Sequence, residues 1–174
     1  RTKDSTVIPI VKGLFKDYPT PKDFLNIDQK ELEKEIYRIG FYRTKAKNIK
    51  SLSQILIQKY NNTIPKTLEE LTTLPGVGRK TANCILSSVF HQPAIAVDIH
   101  VHRISNRLGW VRTIKPEETE QSLQKLVPQN KWTEINRLFV SHGQTICFSI
   151  NPKCQICHIS TYCEYGKKRM KLKP

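Results

Sequence analysis

One lysine and one aspartate have the residue types and the setting for covalent chemistry in this sequence. Lys80 follows a Pro-Gly-Val-Gly turn at the start of a predicted helix, and Asp98 opens a segment eighteen residues later. A lysine amine becomes a nucleophile when it is neutral, which burial or nearby positive charge favours, and Arg79 and the helix start are both positive. A carboxylate at Asp98 could relay the proton of that amine. An aspartate before a helix is also an ordinary N-cap, so the spacing leaves both roles open.

Four cysteines near the C-terminal end form a second candidate site. They are separated by six, two and five residues: Cys147, Cys154, Cys157 and Cys163. Thiolates this close together, in a chain without a secretory signal, indicate a metal site rather than a disulfide framework. Structural zinc usually takes two close pairs, whereas an iron–sulfur cluster often takes four cysteines from one loop. The single close pair favours a [4Fe–4S] cluster and leaves zinc open.

The turn before Lys80 predicts a helix-hairpin-helix. Thr67 and Glu70 have the spacing of a capping box, and the glycines Gly76 and Gly78 allow positive φ and end the first helix. Helical spacing then returns in the apolar residues Ala82, Ile85, Leu86, Val89 and Phe90. Lys80 faces away from this stripe, and unpaired amides at a helix start suit a phosphate. A plain αα-hairpin, whose glycines only permit the turn, has the same local pattern.

The charge of the chain points to a polyanionic partner. Its 174 residues include 29 Lys and Arg against 15 Asp and Glu, a net charge of +14. Composition alone does not separate DNA from RNA or from an acidic membrane surface. No apolar run approaches the ~20 residues of a membrane span, and the start has no signal-peptide core. Because the chain begins with Arg1 and its single methionine is Met170, we expect it to be part of a longer chain.

Periodicity predicts helices along the rest of the chain. A helix is expected over residues 4–16, with Pro9 tolerated only near its first turn, and another from the cap Asp28 to Gly40. Further apolar stripes mark helices at residues 46–56, 99–108 and 132–139, and Pro116 suits the first position of a helix that carries Leu123 and Leu126. The basic tail, residues 167–173, is expected to be frayed and solvated. Since strand alternation, long linkers and repeats are missing from the sequence, the predicted fold class is all-α.

Three parts of the sequence resemble the endonuclease III family of DNA base-excision glycosylases. They are Leu74-Pro-Gly-Val-Gly-Arg-Lys-Thr-Ala-Asn83, Val97-Asp-Ile-His-Val-His-Arg103 and the cysteine spacing, and Phe41-Tyr-Arg-Thr-Lys-Ala-Lys-Asn-Ile49 is also similar. The resemblance implies two helical domains with a cleft between them. Residues 1–93 would form a six-helix barrel with the hairpin at about 67–91, and residues 94–174 an iron–sulfur cluster domain with the basic tail. Relatives have a further N-terminal helical segment, which this chain is expected to lack.

The resemblance also implies a function. Lys80 would attack the sugar C1′ of a flipped-out damaged nucleotide, with Asp98 as the catalytic carboxylate and the four cysteines holding a [4Fe–4S] cluster. The resulting Schiff base permits β-elimination, which nicks the strand 3′ to the lesion. The expected protein is a monomeric, bifunctional DNA glycosylase and AP lyase for oxidised pyrimidines. Its partner would be double-stranded DNA containing damaged bases or abasic sites, with no membrane involved.

Several DNA contacts are implied in the same way. Phe41 and Arg1 occupy positions that wedge into the duplex in the family, although Phe41 also fits an ordinary loop aromatic. The expected contacts with the DNA backbone are Gly76, Gly78, Arg79 and Lys153. Such a protein would be cytoplasmic and associated with the nucleoid in a prokaryote, and nuclear or mitochondrial in a eukaryote.

Two other functions fit the same sequence. One is a glycosylase that removes mismatched or other damaged bases without lyase activity, which strand nicking without added alkali would distinguish. The other is a non-catalytic DNA-binding protein with a structural metal. It would bind duplex DNA with a strong salt dependence but release no base.

Overall fold

The computed structural model describes residues 2–171, and this part of the chain contains helices and no strand. Its ten α-helices are α1 (Asp4–Asp17), α2 (Pro21–Asn26), α3 (Gln29–Glu35), α4 (Tyr42–Tyr60), α5 (Leu68–Thr73), α6 (Arg79–Ser88), α7 (Ile99–Leu108), α8 (Pro116–Leu126), α9 (Trp132–Thr145) and α10 (Glu164–Lys171). The all-α prediction is confirmed. None of these helices is both long and apolar enough to cross a membrane.

The chain forms two compact units, one ending at Gly78 and the other beginning at Arg79. The units therefore divide at the turn before α6. The predicted domains, 1–93 and 94–174, place their boundary after α6 instead and remain a prediction.

The first unit is built around α4. Its core consists of apolar side chains from α1 to α4 and the turns between them: Leu14, Phe24, Ile27, Leu32, Ile36, Ile39 and Ala46. Helices α2 and α3 both pack on α4. Lys50 of α4 donates hydrogen bonds from Nζ to the backbone oxygens of Leu25 and Ile27, which satisfies carbonyls at the end of α2. Helix α4 is thus held by both α2 and α3.

The helix after Asp28 begins with the predicted cap, while other helices differ from the predictions. Asp28 accepts hydrogen bonds from two backbone amides at the start of α3, as expected. However, α3 ends at Glu35 rather than at Gly40. The last apolar residues of the stripe, Ile36 and Ile39, are buried although they lie in the turn that follows the helix. Pro9 lies inside α1 on an exposed face, where the carbonyl that it leaves unpaired can reach water. The expected frayed tail is wrong as far as Lys171, since α10 extends to that residue.

The second unit has its own core, centred on α7. Its buried residues are Ile95, Val97, Val101, Ile104, Leu108, Val111, Leu123, Ile135 and Phe139. Helix α7 packs on α8, α9 and α10. Gly143 of α9 permits a close approach, because a Cβ at that position would lie 2.2 Å from Nδ1 of His100 on α7. The start of α7, where Asp98 lies, is therefore held against α9.

Candidate active site and cysteine pocket

The turn that precedes Lys80 uses its two glycines differently. Gly76 has φ +79°, and a Cβ there would lie 2.9 Å from Nδ2 of Asn48 on α4. Gly78 has no positive φ, and a Cβ there would meet no atom within 4 Å. The Val77 amide closes the turn by donating to the Leu74 oxygen at 3.0 Å. Gly76 is thus required by the turn itself, whereas Gly78 leaves open space for an approaching group.

Helix α5 begins at the predicted cap, but the reciprocal bond of a capping box is replaced by a bond between the two side chains. Thr67 is its N-cap, and Oγ1 of Thr67 accepts a hydrogen bond from the Glu70 amide at 3.2 Å. The same hydroxyl donates to Oε2 of Glu70 at 2.8 Å. These contacts fix the direction in which the chain enters the turn.

Arg79, the first residue of α6, forms a two-point ion pair with Glu120 of α8. Its Nε and Nη2 donate to the two carboxylate oxygens, each at 2.9 Å, and Glu120 is only 3% exposed. The positive charge of Arg79 is therefore offset by a buried carboxylate, so it is less available to Lys80 or to DNA than the sequence suggested. Sequence reasoning missed Glu120. The feature of the sequence that could have identified Glu120 is its position beside Thr119 and Leu123, which both lie on the buried side of α8.

Lys80 lies in the first turn of α6 at the edge of a small pocket. The pocket has an empty volume of about 220 Å³ and is lined by Arg79, Lys80, Val97, Pro116, Glu117 and Glu120. Lys80 itself is exposed. Because Val97 immediately precedes Asp98, this pocket brings the lysine to the segment that carries the aspartate. Glu117, which sequence reasoning did not single out, adds a second carboxylate to the pocket.

Asp98 caps α7 and keeps one oxygen unused. Oδ1 accepts hydrogen bonds from the amides of His100 and Val101, both at 2.9 Å. Within residues 2–171, Oδ2 has no hydrogen-bond donor, and the residue is half-buried. The capping role is present, and the second oxygen is left for a further interaction.

The remaining predicted DNA contacts lie on accessible parts of the chain or outside the described residues. Phe41 is 63% exposed, has φ +59°, and precedes α4 with the Lys45 ammonium 5.8 Å from its ring centroid. Lys153 is exposed in the loop between the first two cysteines, and its ammonium lies 5.3 Å from the Phe148 ring. Arg1 lies outside residues 2–171. All three contacts stay predictions.

The four predicted metal-binding cysteines line one pocket. Cys147, Cys154, Cys157 and Cys163 surround an empty volume of about 360 Å³ together with residues of α7, α9 and α10. None of the four forms a disulfide with another residue of the described chain. Two N–H groups point at their sulfurs: Arg107 Nη1 donates to Cys147 Sγ, and the Gly166 amide donates to Cys163 Sγ, both at 3.3 Å. Such donors stabilise thiolates, so the four residues fit a thiolate-ligated cluster by their type and their hydrogen bonds.

The surroundings of Cys154 shift the pKa of its thiol in opposing directions. Burial raises the pKa of the Cys154 thiol, the Arg169 guanidinium lowers it, and the other three cysteines raise it further. Burial also lowers the pKa of His142, whose Nε2 lies 3.8 Å from Cys157 Sγ. No group of three or more His, Cys, Asp or Glu side chains in residues 2–171 is arranged to hold a metal ion. The thiols instead line the wall of a pocket.

Sequence reasoning also missed Arg107, which holds the cysteine loop. Besides Cys147, its guanidinium donates to the backbone oxygens of Phe148 at 2.6 Å and Ser149 at 2.8 Å. Its guanidinium carbon lies 4.6 Å from the Tyr165 ring centroid. The signal in the sequence was its position on α7 one turn after Arg103, which donates to the Cys147 oxygen at 2.9 Å.

Comparisons with known proteins agree over nearly the whole chain. A family model described as "HhH-GPD superfamily base excision DNA repair protein" matches residues 1–129. Endonuclease III of Thermotoga maritima is 47% identical over 171 residues, covering 98% of this chain and 80% of that protein. Endonuclease III of Bacillus subtilis is 41% identical over 171 residues, covering 97% and 77%.

Solved structures show the same similarity. A trapped endonuclease III–DNA covalent intermediate superimposes with a TM-score of 0.92 and 43% identity, covering 97% of this chain and 80% of that one. A thermostable thymine-DNA glycosylase gives a TM-score of 0.88 and 27% identity, covering 97% and 79%.

Proposed function

The chain belongs to the HhH-GPD superfamily of base excision DNA repair proteins, and we propose that Lys80 and Asp98 carry out its catalytic chemistry. It is a DNA glycosylase and AP lyase that binds DNA and acts on damaged pyrimidines, as predicted. The observation that supports these two residues is the pocket of the second unit, which is lined by Lys80 and by the neighbour of Asp98. The unused oxygen of Asp98 adds to that support.

The proposed reaction begins on an extruded nucleotide, because a base inside the duplex is out of reach. The neutral amine of Lys80 attacks C1′, and the bond between C1′ and the base breaks with its electron pair leaving on the base. Asp98 Oδ2 stabilises the positive charge that develops on the sugar and takes a proton from the nitrogen. The nitrogen lone pair then forms the C1′=N bond of the Schiff base while the C1′–O4′ bond breaks, and O4′ takes the proton that Asp98 removed. Loss of a C2′ proton to water forms the C2′=C3′ bond and breaks the bond between C3′ and its oxygen, so the 3′ phosphate leaves.

Borohydride trapping tests the role of Lys80. Borohydride reduces the Schiff base and leaves the protein linked to DNA, so the native chain should be trapped on an abasic-site duplex. Lys80→Ala should lose trapping while it still binds DNA. Lys125→Ala is a matched control, because Lys125 is also an exposed helical lysine of the second unit. Equal trapping in Lys80→Ala would remove Lys80 from the mechanism.

We propose oxidised pyrimidines as the substrates, following the similarity to endonuclease III proteins. A second candidate is removal of mismatched thymine, which the similarity to a thymine-DNA glycosylase favours. The two are separated by base release from duplexes that carry either an oxidised pyrimidine or a mismatched thymine. Strand nicking without added alkali reports the lyase step in the same assay.

We also propose that the four cysteines hold a [4Fe–4S] cluster. Their placement around one pocket and the two N–H donors to sulfur support this ligand set. When bound, the cluster supplies four iron–thiolate bonds that tie the loop after α9 to the start of α10. Iron and acid-labile sulfide should each be found at about four per chain, and stoichiometric zinc without iron would refute the proposal.

Two further properties are proposed from the same family membership. The protein acts as a monomer on duplex DNA that contains a damaged base or an abasic site, which light scattering and binding to matched duplexes would test. It works wherever the genome is, in the cytoplasm of a prokaryote or in the nucleus or mitochondrion of a eukaryote. Fluorescence imaging of the tagged full-length protein checks the compartment.

A further inference from the structure

The segment that leads into Asp98 is buried but belongs to no helix or sheet. Residues 94–97 have no helical or strand assignment, and each is between 0 and 6% exposed. A buried backbone needs hydrogen-bond partners for its polar groups, which helices and sheets normally supply. Here the partners must come from elsewhere.

Two asparagine side chains donate to successive carbonyls of this segment. Asn83 Nδ2 on α6 donates to the Ile95 oxygen at 3.1 Å, and Asn136 Nδ2 on α9 donates to the Ala96 oxygen at 2.8 Å. The two donors lie on different helices, so α6 and α9 each hold one carbonyl of the segment. Asn83 is only 3% exposed, and Asn136 is half-buried.

One contact connects the helix of Lys80 to the segment before Asp98, because Asn83 lies three residues after Lys80 and its acceptor Ile95 lies three residues before Asp98. The other ties Ala96, two residues before Asp98, to α9. We infer that Asn83 and Asn136 are positioning residues that set the Asp98 carboxylate relative to the Lys80 amine. This inference rests on the proposed roles of Lys80 and Asp98.

The inference predicts different effects on two reactions, base release and trapping on an abasic site. Base release needs the Asp98 carboxylate near C1′ while positive charge develops there, and a displacement of about 1 Å can cost about 100-fold in rate. Trapping on an abasic site made beforehand starts from an aldehyde that is already electrophilic, so Asp98 has no sugar cation to stabilise there and only its proton-accepting role remains. Moving the Asp98 segment should therefore impair base release more than trapping.

The experiment compares Asn136→Ala and Asn83→Ala with the native full chain. Single-turnover base release should fall about 10- to 100-fold at saturating enzyme. The Kd for the duplex and the trapping on the abasic site should stay within about 3-fold. Asn106→Ala is the matched control, since Asn106 Nδ2 donates to the His102 oxygen at 2.9 Å in the same unit but away from the Asp98 segment. Its ratio of base release to trapping should match that of the native protein.

Several results would overturn the inference. Unchanged base release in folded Asn136→Ala would do so, and so would an equal loss of both steps in the two variants and the control. Should the alanine variants fail to fold, Asn136→Asp decides, because it keeps the volume and loses the donor. Full base release in Asp98→Asn would defeat the proposed function itself. Inactive Asp98→Asn beside fully active Asn136 variants would defeat only the positioning role.

Discussion

The cysteine pocket and the lysine site lie in the same compact unit and are assembled in opposite ways. The pocket takes all four thiols from the 17 residues between Cys147 and Cys163. The lysine site combines Lys80 from α6, the segment before α7 and two carboxylates from α8. A site built from one loop can be recognised from spacing, whereas a site built from several elements depends on what holds those elements together. At the lysine site, the contacts that hold the elements together are hydrogen bonds, each with a polar side chain that is buried or half-buried.

The largest effect is expected at Asp98. Asp98→Asn should reduce base release about 1,000-fold, because the charge that stabilises the sugar is lost. The melting temperature should change little, since asparagine also caps helices well. Single-turnover base release and thermal unfolding measure the two effects. Asp28→Asn is the matched control, as Asp28 caps α3 in the first unit with the same two-amide pattern, and it should leave base release unchanged. An equal loss in both variants would show that only capping matters.

Removing one thiol tests iron binding at the cysteine pocket independently of the lysine site. Cys154→Ser should lose most of the bound iron, because one of four ligands is missing and Cys154 is the buried one. Iron and sulfide analysis of the purified protein measures the loss. Cys84→Ser is the control, since Cys84 lies on α6 away from the pocket. Equal iron in the native chain and in Cys154→Ser would exclude Cys154 as a ligand.

The ion pair between Arg79 and Glu120, beside Lys80, should contribute mainly to the free energy of unfolding. Arg79→Ala leaves the Glu120 carboxylate buried without its guanidinium and should lower the free energy of unfolding by about 3 kcal/mol. Chemical denaturation measures this difference. Replacing both residues by Met should restore most of the loss, because the unpaired buried charge is then gone. A double variant as unstable as Arg79→Ala would contradict this explanation.

The two glycines of the turn give the smallest and cleanest test. Gly76→Ala should lower the free energy of unfolding by about 2 kcal/mol, since it combines a positive φ with a contact against Asn48. Gly78→Ala should change it by less than about 0.5 kcal/mol, because the added methyl group meets open space. If Gly78 faces a DNA phosphate, Gly78→Ala should instead weaken duplex binding. An equal loss of stability in both variants would contradict the difference seen between the two glycines.

Local sequence patterns predicted most of the helices because their causes are local. The caps Thr67, Asp28 and Asp98 bond to amides two or three residues away, and the apolar stripes need only helical spacing. The end of α3 was predicted wrongly, because burial of the following turn outweighed the signal from Gly40. Helix α10 was missed because its charged residues show no apolar stripe, and its contacts with α7 support it.

The sequence by itself determined the helical class, the cysteine set, the likeness to endonuclease III and the candidate pair of Lys80 and Asp98. Only the tertiary structure decided that Arg79 pairs with Glu120, that Lys80 and Val97 share a pocket, and that two asparagines hold the intervening segment. The reason is physical. Capping and periodicity act within a few residues, while a buried polar group takes its partner from whichever distant element the fold brings within hydrogen-bond distance.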